Sequence, residues 1–174
     1  MLSGGLPSEF FNCRSLKMLL LSENNFDGKI NGGSTPPSFT QLANLTYLDL
    51  AHNNFIGLWD LSVLLLSLPN LEFLSLSYSG LIVVSNNNTR YVNHKLRDLD
   101  LSSNNIHGRI PDWAQEIGGN GLRFLDLSNN FITSLHDFSG VDYVICISAV
   151  QPDKRTISSI NLWHDRSTGS GYFQ

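Results

Sequence analysis

The chain has 174 residues, a formal net charge of -4 and only 15% charged residues, against roughly a quarter in an average globular protein. Hydrophobic residues make up 41%, enough for a core, and Asn and Ser supply most of the polarity. An acidic chain without a Lys/Arg cluster is ill suited to nucleic acid or to an anionic membrane surface, because both need grouped cations.

The start of the chain, MLSGGLPSEF, has neither a basic n-region nor an apolar h-region, so no signal peptide is expected. Leu2, Gly4, Leu6 and Pro7 read instead as the second half of a structural unit, a partial repeat over 1–12. Five segments then superimpose on L-x-x-L-x-L-x-x-N-x-L, beginning at Leu16, Leu45, Leu71, Leu96 and Leu122. Their starts are 29, 26, 25 and 26 residues apart. Asn recurs eight residues after the first leucine, at Asn24, Asn53, Asn104 and Asn130, with Ser79 the exception. A leucine-rich globular core would explain the leucines but not the asparagines.

L-x-L places two side chains on one face of a short strand, because the strand period is two. Those leucines are expected to point inward, and strands of successive units to stack in parallel about 4.8 Å apart. No unit can bury its apolar face alone, so the fold is read as a sum over repeats and their interfaces. Each Asn falls where the chain leaves the strand, and its amide can satisfy turn carbonyls and N–H groups. A stacked Asn ladder follows, with a weaker rung at Ser79. Gly28-Lys29-Ile30 and Gly108-Arg109-Ile110-Pro111 mark a second strand after the turn. The insertions at 31–35 and 85–90 read as solvent loops.

After Leu135 the pattern stops, giving a repeat domain over 1–135 and a non-repeat tail over 136–174. Within the tail, 144–150 reads either as a strand covering the open edge of the stack or as part of a loose end. The apolar stretches at 61–68 and 144–150 fall far short of the roughly 18 residues a membrane span needs, so no transmembrane segment is expected. Cys13 and Cys146 show neither a CxxC pair nor metal spacing, and a disulfide between them stays open. Cys13 occupies the position of Leu42 and Leu68 in the next two repeats, and is expected to be a buried apolar thiol.

The period and motif match the leucine-rich repeat. LDLSSNNIHGRIP at Leu99–Pro111 resembles the plant extracellular form of that repeat. NHKLRDLDLSSNNIHGRIPDW from Asn93, followed by LRFLDLSNNFITSL, resembles the ectodomains of plant receptor-like proteins of the disease-resistance type. The resemblance implies an α/β leucine-rich-repeat solenoid, a right-handed coil with its parallel β-sheet on the concave face. It implies an ectodomain that detects apoplastic, often microbial, ligands at the cell surface. In that family a transmembrane helix anchors the ectodomain and partner receptor kinases carry the signal. This sequence departs from the family in its absent leader, absent paired-cysteine cap, absent membrane helix and unplaced final residues. These departures suggest a fragment, a truncated product or a mispredicted gene model.

The residues between the inward leucines, at offsets +2, +4, +6 and +7, are the candidate ligand surface. Tyr47, Phe73 and Phe124 supply aromatic groups, with His52 and Tyr78 at +7. Asp49, Asp98, Asp100 and Asp126 make the face acidic, which favours a ligand carrying Lys or Arg. Exposed aromatics beside carboxylates suit protein or peptide recognition, although lateral aromatic pairs also stabilise sheet surfaces. The sequons at Asn44 and Asn87 are candidate glycosylation sites if the chain is secreted.

An enzyme is not expected. GxxxxGK[ST], HExxH and GxSxG are all absent, and the histidines at 52, 94, 107, 136 and 164 lack metal spacing. No cofactor is expected either. The enzyme rival is a pectin-degrading β-helix, in which stacked aspartates such as Asp100 and Asp126 would work as an acid/base pair. The leading expectation is recognition of a protein or peptide in defence or signalling, with a co-receptor kinase as a candidate partner. The alternatives are a secreted inhibitor of a microbial cell-wall enzyme and a non-functional remnant.

Overall fold

In the computed structural model the described residues are 1–27, 37–56, 58–80, 82–84, 95–109, 121–134, 144–147 and 160–162. The two candidate loops, the Gly28–Ile30 signal and Asn87 lie outside them. The repeat leucines build one parallel sheet from β2 (Met18–Leu20), β4 (Tyr47–Asp49), β6 (Phe73–Ser75), β8 (Asp98–Asp100) and β10 (Phe124–Asp126). Register is identical at every junction, so Met18, Tyr47, Phe73, Asp98 and Phe124 form one row. Leu20, Asp49, Ser75, Asp100 and Asp126 form the next.

The second strand of each unit forms smaller parallel pairs. They are β1 (Ser3–Gly4) with β3 (Asn25–Phe26), β5 (Leu58–Asp60) with β7 (Ile82–Val84), and β9 (His107–Arg109) with β11 (Phe131–Ser134). β1, near the start of the chain, thus lies beside the second strand of the first full repeat. The opposite side carries short helical segments: 3-10 turns at Ser8–Asn12 and Pro37–Gln41, and α1 (Leu61–Ser67). Leu61, Leu64, Leu65 and Leu68 recur at the i, i+3, i+4, i+7 spacing of a helical stripe and are all buried.

The interior is the stack of leucines. Leu45, Leu48, Leu50, Leu71, Leu74, Leu76, Leu99, Leu101 and Leu125 are fully buried, and Leu16, at the first repeat, only partly. Each buried leucine stabilises the stack by roughly 1.5–3 kcal/mol. The aromatic pairs Phe11–Phe39 (5.1 Å, edge to face) and Phe26–Phe55 (6.2 Å, parallel) lie inside the same core.

Cys13 departs from the expectation: it is exposed, with its thiol near the Glu9 carbonyl at 4.0 Å. Leu42 and Leu68 at the matching position are buried because a preceding helical segment packs over them. Cys13 follows the 3-10 turn at Ser8–Asn12 and is left exposed.

The stretch read as strand or loose end contains β12 (Val144–Ile147), which pairs parallel with β10 in the repeat register. β13 (Ile160–Leu162) then pairs antiparallel with β12. Among the described residues no helix is long and apolar enough to cross a membrane.

Candidate functional site

The concave face is built by the backbone ladder and ended by two devices. The N–H groups at +5 and +7 of one repeat donate to carbonyls of the next. Examples are Leu50 to Ser75 (3.0 Å) and His52 to Ser77 (2.9 Å), and Leu76 to Asp100 (2.9 Å) and Tyr78 to Ser102 (3.0 Å). The first ending device is the +4 aspartate. Asp49, Asp100 and Asp126 each accept the backbone N–H two residues on, from Ala51 (3.0 Å), Ser102 (2.9 Å) and Ser128 (2.8 Å). This is a local Asx turn, and it gives the L-D-L-S filler a physical reason.

The second device is a left-handed residue at +7 in every repeat. Glu23, His52, Tyr78, Ser103 and Asn129 have φ between 48° and 57°. Non-glycine residues rarely adopt this region. Here the +7 N–H of Glu23, His52, Tyr78 and Ser103 donates to a carbonyl of the next repeat, which helps to hold it. Nothing at this offset announces it, because five different residue types share the position.

The Asn ladder spans repeats. Asn53 Nδ2 donates to Leu50 O and Ala51 O in its own turn and to Leu21 O in the previous repeat, while its Oδ1 accepts from Phe26 N at 3.0 Å. Asn130 repeats the pattern with Leu127, Ser128, Leu101 and Ile106. Asn24 bonds Leu21 O and Ser22 O and accepts from Leu2 N.

On this frame Tyr47 and Phe73 are half-buried and lie face to face, ring centres 4.0 Å apart and planes within 5°. His52 and Tyr78 stack at 5.3 Å along the +7 row, both exposed, Tyr78 by 62%. Burial, then the carboxylates of Asp49 and Asp98, raise the Tyr47 hydroxyl pKa above its ordinary value. Phe124 is half-buried in the same row as Asp98. Asp98 is drawn out of the acidic patch by Arg123, whose Nη2 lies 3.0 Å from its Oδ2. Arg123, one residue before the +2 row, was not singled out from the sequence. A cation at +1 beside a carboxylate at +2 of the preceding repeat is the signal that finds it. Met18 and Leu20, exposed by 53% and 56%, add an apolar end at the first repeat. A further stack, His107 on Phe131 at 4.7 Å, lies on the second-strand surface and was also missed.

Five of the candidate residues, Tyr47, Asp49, His52, Phe73 and Tyr78, therefore gather on the adjoining second and third repeats. Asp98 and Asp100 continue the face, and Phe124 and Asp126 lie one repeat further. Asn44 lies apart, exposed three residues before β4, with Nδ2 donating to Arg14 O at 2.9 Å. No group of three or more His, Cys, Asp or Glu among the described residues is placed to hold a metal ion.

Leucine-rich-repeat family models match residues 41–58, 92–109 and 121–141. Receptor-like protein 39 of Arabidopsis thaliana is 36% identical over 134 residues, covering 76% of this chain. The chain carries leucine-rich repeats and is similar to the receptor-like proteins of Arabidopsis thaliana. It spans 14% of the length of receptor-like protein 39. Adenylate cyclase of Schizosaccharomyces pombe is 38% identical over 105 residues, 60% of this chain and 6% of that enzyme. Among solved structures, the plant peptide hormone receptor RGFR1 in complex with RGF2 superposes with a TM-score of 0.55. It is 24% identical, over 75% of this chain and 19% of that one, a likeness of fold.

Proposed function

We propose that this chain is a ligand-binding ectodomain of a plant receptor-like protein, recognising a protein or peptide in defence or signalling. One observation carries the reading: the concave sheet presents a continuous row of aromatic and acidic side chains that the core does not use. Its interior residues are leucines in every repeat, whereas its outer residues differ from repeat to repeat, as a recognition surface requires. The fold shared with RGFR1, a peptide hormone receptor solved with RGF2, fits that role. Placement at the cell surface, a glycan on Asn44 and a partner kinase belong to the same proposal. Catalysis does not, since the aspartates at +4 are engaged in the turns that end the strands.

The test is selection of a random peptide library on the purified chain, with recovered peptides titrated by calorimetry. Alanine at Tyr47, Phe73 or Phe124 is expected to weaken binding by roughly tenfold at one position or more. Unchanged affinity in all three variants removes the reading.

A further inference from the structure

We propose that the second to fourth repeats hold a seat for one arginine side chain of the ligand, between two aromatic stacks and two carboxylates. The inference rests on the concave face being the ligand surface.

The register builds the seat. Asp49, Ser75 and Asp100 stand side by side in the +4 row of three successive strands. At about 4.8 Å per strand, the two aspartates start about 10 Å apart. Ser75 between them is short and 95% buried, so the row dips where its neighbours carry carboxylates. The Tyr47–Phe73 stack bounds the dip on the +2 side and the His52–Tyr78 stack on the +7 side. No other junction among the described residues has a stack on both sides.

Charge selects the occupant. One ion pair forms among the described residues, Arg123 with Asp98, and it uses neither aspartate of the seat. Asp49 and Asp100 each commit Oδ1 to their own turns. The bond to Asp100 Oδ2 is a long one, 3.5 Å from the Ser75 hydroxyl. Two carboxylates thus face a depression with no ion-pair partner among the described residues. A guanidinium is planar, permanently charged and weakly hydrated, so it can lie against ring faces while forking to carboxylates. An ammonium matches the charge but not the flat walls. Burial first, then the carboxylates of Asp49 and Asp98, raise the Tyr47 pKa, so one carboxylate of the seat already acts on this wall.

The experiment uses the same peptide selection, on the native chain and on the double variant Asp49→Asn, Asp100→Asn. Asparagine keeps the Oδ1 acceptor of each turn, so unfolding profiles should match those of the native chain. Recovered peptides should carry arginine. Replacing that arginine with citrulline, its neutral isostere, should weaken binding to the native chain about tenfold, one to two kcal/mol being typical of a partly desolvated cation–π and charge contact. On the double variant the same replacement should change affinity less than twofold, and Glu9→Gln, on the 3-10 turn at Ser8–Asn12, should leave the native preference intact. Lysine binding as well as arginine, or equal citrulline effects on both proteins, overturns the seat. Uncharged binders sensitive to Tyr47→Ala or Phe73→Ala overturn the seat and leave the recognition surface standing. A library that yields no binder overturns both.

Discussion

The rung at Asn104 and the rung at Ser79 occupy equivalent turns of adjacent repeats but are built differently. Asn104 Nδ2 donates to Leu76 O across the repeat boundary (2.7 Å) and to Leu101 O and Ser102 O in its own turn (3.1 Å each). Its Oδ1 accepts from Ser79 N at 3.3 Å. Ser79 reaches only Leu76 O in its own turn, at 2.6 Å, and shares the Asn104 oxygen at 3.4 Å. Its hydroxyl is too short to bond Leu50 O in the repeat before. The next residue compensates. Gly80 has φ 73°, and a Cβ on it would lie 2.9 Å from Phe55 O, so only glycine lets the backbone come this close. The short hydroxyl thus sits beside a glycine whose main chain runs close to the repeat before.

Three substitutions probe that difference, each read as a shift in urea midpoint at constant slope. Asn104→Ala should be the most damaging, at about 3 kcal/mol, because it leaves several buried carbonyls and Ser79 N without this partner. Loss below about 1 kcal/mol would show that the amide is not the link between repeats. Gly80→Ala should cost about 2 kcal/mol, through its left-handed backbone and the blocked approach to Phe55 O. A harmless Gly80→Ala would break the compensation argument. Ser79→Ala should cost least, about 1 kcal/mol or less, since Leu76 O keeps its bond from Asn104. A loss equal to that of Asn104→Ala would erase the distinction between the rungs.

Much of the fold was legible because the signals are local and repeated. Leu48, Leu74, Leu99 and Leu125 announce their burial by a period of two, and Asn53 and Asn130 mark the turns. Cys13 was misread because its burial depends on whether another segment packs over it, which position within the repeat does not reveal. On the concave face, the row containing Tyr47 and Phe73 follows from register, but their face-to-face contact at 4.0 Å does not. The pairing of Arg123 with Asp98 was hidden because it crosses from one offset to another between repeats. The dip at Ser75 was hidden too, since a small residue reads as filler until its neighbours are placed.

The left-handed residue at +7 is the same backbone shape worn by a carboxylate, an imidazole, a phenol, a hydroxyl and an amide. Such a conformation costs an ordinary residue on the order of 1–2 kcal/mol, and less for Asn. The molecule meets that cost once per turn from its shared interior. Side-chain chemistry at these five places is thereby uncoupled from folding, so the displayed surface can be rewritten one position at a time without redrawing the coil beneath it.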